Sequence, residues 1–240
     1  MFWPREVIDR DHELQNPTSA EKILRLGDYL GLSAESRVLD VGAGKGGPAR
    51  ILAAAHGCRI TSIELRASFA DEAREQALAE GLGGLIEVQT ADASTLELDP
   101  AAFDAALCLG ASFIWGTIAE TALTLHPSVR SGGFVAVGEP FWRQWPLPAG
   151  IDEEEFVGLE ETVERLERAG LQVTGIIAAS EDDWDHYKSL QWRATEAWLA
   201  EHPDHPGAEE MRATHERFRS EYVGFKRALL GWAIFVGRKI

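Results

Sequence analysis

The chain has 240 residues, enough for one α/β domain with a substantial core, and its 45% hydrophobic and 26% charged residues fit an ordinary globular protein. A formal net charge of −16 argues against nucleic acid or an anionic membrane surface as partner, since both would be repelled. No stretch reaches the roughly 18 apolar residues that a membrane span needs. Residues 1–16 lack the apolar run of a secretory signal, so a cytoplasmic location is expected.

Residues 1–36 read as an N-terminal helical cap on a single domain spanning 1–240. Within it, the polar segment Ile8 to Asn16 admits two readings, a lid over a ligand or a frayed terminus. Pro17, Thr18 and Ser19 signal a helix start, and Ile23, Leu24, Leu26, Leu30 and Leu32 give that helix an apolar face. Residues 38–41 then read as a fully buried parallel strand carrying an acid, Asp40. Gly42, Gly44, Gly46 and Gly47 follow, where the backbone turns sharply and approaches a ligand that a Cβ would keep away. Pro48 suits the first turn of a helix over 49–55, with Gly57 as its stop.

Residues 58–64 form the second predicted strand, 67–80 an alanine-rich helix, and 85–90 a third strand followed by Asp92 and Ala93. A fourth strand over 103–110 leads to a helix ending near His126, and a fifth strand covers 132–139. Strands alternating with helices at this pitch predict a Rossmann-like, mostly parallel sheet with helices on both faces. Residues 140–148 read as a loop rich in aromatics and proline, 156–169 as a helix and 171–179 as a strand. A helical insertion at 181–226, with helices over 181–201 and 208–224, precedes a last strand over 228–237. The last strand is expected to return antiparallel, completing a seven-stranded sheet.

Cys58 and Cys108 fall in predicted buried strands and read as core, and no metal site is expected. His202 and His205 have a ligand-like spacing but sit among prolines in an acidic linker. No Gly-x-Ser-x-Gly elbow is present, which excludes that class of hydrolase. The strand, glycine turn and helix form a nucleotide-cofactor cradle. Gly42-x-Gly44-x-x-Gly47 satisfies the dinucleotide fingerprint, with Glu64 where a ribose-binding acid belongs, so an NAD-dependent oxidoreductase stays open. Asp40 beside the turn favours an ammonium group and would repel a pyrophosphate.

The run Leu39-Asp40-Val41-Gly42-x-Gly44-x-Gly46, the acid ending the second strand and the acid after the third resemble class I S-adenosylmethionine (SAM)-dependent methyltransferases. The likeness covers roughly residues 15–140. It implies that Gly42, Gly44 and Gly46 approach the methionine portion of SAM and that Asp40 organises its ammonium. Glu64, with Leu65 beside it, would take the ribose, and Asp92 with Ala93 the adenine. Leu109 and Gly110 would line the methionine and sulfonium. The reaction implied is an in-line SN2 methyl transfer without a metal.

His12, Gln15-Asn16-Pro17, the run 138–144, the helix bearing Trp184, Tyr187 and Trp192, and the run 231–235 also resemble the YjhP-like bacterial methyltransferases. That likeness carries no substrate with it. Nucleic-acid amino-methyltransferases place an Asn/Asp-Pro-Pro-aromatic motif where this chain has Leu109-Gly-Ala-Ser-Phe113. That difference and the acidic charge point to a small-molecule acceptor methylated on N, O or S. Glu139 and Trp142, just past the fifth strand, are the candidates for orienting or stacking on it, with core packing as the alternative for the tryptophan. A non-catalytic SAM-binding protein is a further alternative.

Overall fold

The computed structural model describes residues 4–151 and 156–240. One sheet contains β1 (Arg37–Val41), β2 (Arg59–Glu64), β3 (Ile86–Thr90), β4 (Phe103–Leu109), β5 (Val129–Trp142), β6 (Leu171–Ala178) and β7 (Leu230–Lys239). Their order is β3-β2-β1-β4-β5-β7-β6. Strand β7 runs antiparallel to both β5 and β6, while the remaining neighbours pair in parallel. This is the Rossmann-like, seven-stranded sheet expected from the sequence. Its strand order reverses between β1 and β4, where such sheets open a ligand crevice at the strand ends.

The helices are α1 (Arg5–Ile8), α2 (Ala20–Leu30), α3 (Gly47–His56), α4 (Ala67–Ala79), α5 (Ile118–Leu125), α6 (Leu159–Arg168), α7 (Glu181–Glu201) and α8 (Ala208–Glu221). Side chains alternate across the strands and so fill two apolar layers. Val38 and Ile60 join Leu26 of α2, Leu52 of α3 and Ala77 of α4 in one layer. Leu39, Val41 and Ile63 join Ala122 and Leu125 of α5 and Leu166 of α6 in the other. Cys58 and Cys108 are buried free thiols in these layers.

Three elements differ from expectation. Residues 140–142 continue β5 instead of opening a loop, pairing Pro140 with Trp232 and Trp142 with Leu230. Proline fits there because β4 ends opposite Gly138, so the side of Pro140 that lacks an N–H faces no neighbouring strand. The amide of Trp142, on that same side, donates to Val157 O at 2.8 Å. Second, the helix expected over 156–169 starts at Leu159, with Gly158 at its N-cap; part of the connection before it lies outside the described residues. Third, the helix expected over 208–224 changes at Tyr222 into a π-helical segment reaching Lys226.

Among the described residues, no helix is long and apolar enough to cross a membrane. Helix α7 starts on a capping box. Ser180 Oγ accepts from Asp183 N, and the Asp183 side chain accepts from Ser180 N at 2.6 Å. Asp183 also pairs with Lys22 of α2, which anchors the helix start to the body of the protein. Ser180→Ala should lower stability by ~1 kcal/mol, the usual effect of losing such a cap. Urea unfolding followed by circular dichroism would measure it, and an unchanged midpoint would show that the Lys22 pair alone holds the helix start.

Candidate active site

Strand β1 is buried from Val38 onward, and the chain leaves it through Gly42 and Gly44 with φ of +68° and +57°. The amides of Gly42 and Ala43 both donate to Ile63 O, at 2.9 and 3.1 Å, which ties the turn to β2. Gly46 caps the start of α3, where Pro48 occupies the first turn. The turn opens a cavity of about 240 Å³ at the ends of the central strands. Asp40, Gly42, Gly44, Glu64 and Leu65 line it from the β1 and β2 side. Asp92, Ala93, Leu109 and Gly110 line it from β3 and β4. Gly46 is not on the wall and sits against Ala73 of α4.

Each acid at the cavity is held differently. Asp40 is 2% exposed, and its Oδ2 is buried without a hydrogen-bond partner. Burial and the nearby Glu64 carboxylate push its pKa up from 3.8 to about 7. Glu64 is also buried, but both its oxygens are engaged: Gly44 N donates to Oε2 at 2.9 Å and Arg66 N to Oε1 at 2.8 Å. Asp92 is exposed and accepts from Ser94 Oγ at 2.6 Å and Ser94 N at 3.0 Å, which holds its carboxyl below the usual range.

The N-terminal segment is packed against this turn and forms part of the cavity wall. Gln15 Oε1 accepts from Lys45 N at 2.9 Å, and Asn16 Nδ2 donates to Leu109 O at 2.7 Å. Lys45 Nζ, almost fully buried, donates to Arg10 O at 2.8 Å and pairs with Glu72 at 3.2 Å. His12 donates through Nε2 to Tyr187 O at 3.0 Å, since a carbonyl only accepts. Ile8 is fully buried against Trp198, Leu199 and Met211. A Cβ on Gly44 would stand 1.9 Å from Gln15 Oε1, and one on Gly110 would stand 2.0 Å from Asn16 Oδ1. These two glycines therefore make room for the N-terminal segment.

Glu139 and Trp142 do not line the cavity. Trp142 is 1% exposed, and its ring lies in the core cluster with Trp184, Tyr222 and Trp232. It is a packing residue, because the extra strand residues turn it inward. Glu139 is half-buried and accepts from Ser112 Oγ at 2.6 Å. It thereby supports the turn at 112–114, whose Phe113 and Ile114 do line the cavity. Asp9, Gln15 and Asn16, from the polar segment that admits a lid reading, also line the cavity, as does Tyr187 of α7, while Arg5 carries no signal in the sequence. The only signal for the others is the polar run before Pro17 and the aromatic stripe on α7.

A family model described as a methyltransferase domain matches residues 38–133. The crystal structure of a SAM-dependent methyltransferase from Thiobacillus denitrificans, in complex with S-adenosyl-L-homocysteine (SAH), is 32% identical, covers all of both chains and superposes with a TM-score of 0.91. The protein YjhP of Escherichia coli K12 is 29% identical over 95% of each chain. The 27-O-demethylrifamycin SV methyltransferase of Amycolatopsis mediterranei is 28% identical over 90% of this chain and 81% of its own. The chain belongs to the SAM-dependent methyltransferases, enzymes whose methyl donor is SAM.

The residues present fit that donor. Asp40, a buried carboxylate with one oxygen lacking a partner, is among the residues lining the cavity, which suits an ammonium group and is hostile to a pyrophosphate. Among the described residues, no group of three or more His, Cys, Asp or Glu is placed to hold a metal ion.

A carboxyl with a raised pKa binds its proton more tightly in the folded chain than in the unfolded one. Asp40 therefore withdraws stability as pH rises from about 4 to about 7, and its contribution is level above that. Asp40→Asn should be more stable than the native chain at pH 8, by on the order of a few kcal/mol at ~1.4 kcal/mol per pKa unit. The advantage should shrink as pH is lowered to 5. Denaturant titrations at the two pH values check this, and a pH-independent difference would contradict it. Gly44→Ala should displace Gln15 and speed limited proteolysis within residues 4–16, whereas native-like protection would show that the segment docks without that contact.

Proposed function

We propose that the cavity holds SAM across the ends of β1, β2 and β3, and that the protein transfers its methyl group to a small-molecule acceptor. In this reading Asp40 organises the ammonium, and Gly42 and Gly44 leave room for the methionine chain. Glu64 accepts from the ribose hydroxyls, Asp92 and Ala93 flank the adenine, and Leu109 and Gly110 lie along the methionine toward the sulfonium. When bound, SAM supplies an electrophilic methyl on a good leaving group. The protein's part is alignment and exclusion of water.

The observation that carries this reading is a buried carboxylate, Asp40, among the residues that line the cavity, with one oxygen lacking a hydrogen-bond partner. An ammonium would supply the missing hydrogen bond and cancel the buried charge. The acceptor's small size is supported by a cavity of about 240 Å³ whose lining includes Asp9, Gln15 and Asn16 of the N-terminal segment and Tyr187 of α7. The net charge of −16 disfavours a polyanionic acceptor. Similarity to a relative named for methylating 27-O-demethylrifamycin SV supports it further. We read the chain as one catalytic domain, with residues 1–36 as cap and 181–226 as insertion, because both walls of the cavity depend on them.

Calorimetry with SAH tests the donor assignment. The native chain should bind, and Glu64→Ala should bind more weakly by roughly 1.5–3 kcal/mol, the range for hydrogen bonds to a charged group. Absence of SAH binding by the native chain would overturn the reading. Unchanged affinity in the variant would remove Glu64 from the ribose site.

A further inference from the structure

Polar groups on the cavity wall outnumber those assigned to the methyl donor. The donor's acids, Asp40, Glu64 and Asp92, all stand at strand ends. Arg5 and Asp9 of the N-terminal segment and Tyr187 of α7 line the same cavity, together with Phe113 and Ile114 beyond β4. Asp9 is a carboxylate at 4% side-chain exposure, with long contacts on both oxygens. Arg5 Nη1 donates to Oδ2 at 3.3 Å, and Gln191 Nε2 donates to Oδ1 at 3.3 Å. Charge-assisted bonds are ordinarily about 2.7–2.9 Å, so this carboxylate retains acceptor capacity for a further donor.

Gln191 fixes the geometry of that wall. Its Nε2 also donates to the Tyr187 hydroxyl at 3.1 Å, and its Oε1 accepts from Lys188 Nζ at 3.2 Å. One amide thus spans Asp9 and Tyr187 and holds them in a fixed relation. Burial, with Asp9 nearby, pushes the Tyr187 phenol up to about 12, so it stays a neutral donor. The lining as a whole carries five carboxylates, Asp9, Glu13, Asp40, Glu64 and Asp92, against the guanidinium groups of Arg5 and Arg66. That balance repels a carboxylate or a phosphate. Phe113, 78% exposed at the cavity, offers an apolar surface for the rest of an acceptor.

We propose that Asp9 receives the acceptor. The acceptor is an uncharged hydroxyl or amine compound with an apolar body, and its O–H or N–H donates to the Asp9 carboxylate. This rests on the reading of the cavity as the methyl-donor site. As the oxygen or nitrogen lone pair forms the bond to the methyl carbon, the carbon–sulfur bond breaks and its electron pair stays on sulfur. The proton of the O–H or N–H passes to Asp9. Tyr187 and Gln191 are positioning residues, with Gln191 Nε2 contacting both Asp9 Oδ1 and the Tyr187 hydroxyl.

The test uses the full chain saturated with SAH and four probes of one size: phenol, aniline, benzoate and toluene. Ligand-observed NMR should find phenol and aniline binding at least tenfold tighter than benzoate and toluene. In Asp9→Asn their affinity should fall at least tenfold while SAH affinity stays within twofold. Tyr187→Phe, which keeps the ring and its packing, should lower it severalfold. Methyl transfer to the better probe, read with methyl-labelled SAM, should fall at least a hundredfold in Asp9→Asn. Benzoate or toluene binding as well as phenol, or no probe binding, would overturn the acceptor class. Native transfer in Asp9→Asn, or none by the native chain to any bound probe, would overturn the role of Asp9. Failure of the donor reading is separate, since it appears as a native chain that does not bind SAH.

Discussion

A carboxylate held in the sheet interior without a partner on one oxygen is the constraint around which this site is arranged. Leaving a buried charged acceptor unsatisfied costs at least about 1–3 kcal/mol, and Asp40 stands next to a second carboxylate that makes its ionisation harder still. The fold tolerates this because β1 is bracketed by β2 and β4 in a regular parallel register, with apolar layers on both faces. On the proposed reading, an ammonium on the ligand would offset that unsatisfied charge.

The turn that follows Asp40 answers to two demands at once. Its backbone amides satisfy β2 and Glu64, through Ile63 O and Glu64 Oε2. Its outer surface receives Gln15, while Asn16 reaches the end of β4. A side chain at Gly44 or Gly110 would collide with those two residues. The glycine pattern that marks a cofactor cradle is therefore also the seat of the N-terminal segment. Closure over the cavity and approach to the ligand are set by the same few backbone atoms.

This double use explains which parts of the site were legible in the sequence. The strand, the glycine turn and the acids at 40, 64 and 92 are local signals: each lies within a few residues of the pattern that reveals it. The nine expected positions from Asp40 to Gly110 that meet at the cavity do so because parallel strands bring their ends together automatically. Contacts between Gln15 and Lys45, Asn16 and Leu109, or His12 and Tyr187 span 30 to 175 residues, and periodicity carries no trace of such pairings. Trp142 was ambiguous for a different reason. Whether it faces a ligand or the core depends on β5 running three residues past Glu139, and Pro140 hides that extension by resembling a strand end.

The division between the two halves of the cavity follows from how α7 is delivered. Strand β6 runs parallel to β5, because both are antiparallel to β7, so α7 begins on the cavity edge of the sheet. At 1.5 Å per residue its 21 residues extend roughly 30 Å, and its start is held by the Ser180 cap and Lys22. Tyr187, Gln191, Thr195 and Trp198 recur every three or four residues, a spacing that places them along one stripe. That stripe meets His12, Asp9 and Ile8 of the N-terminal segment. Each of these two elements buries residues of the other, and neither lies in the stretch 38–133 that the methyltransferase-domain model matches. On the proposed reading, donor recognition rests on the strand ends, and the wall opposite is built from the N-terminal segment and α7. On the same reading, selectivity for the acceptor belongs to that wall.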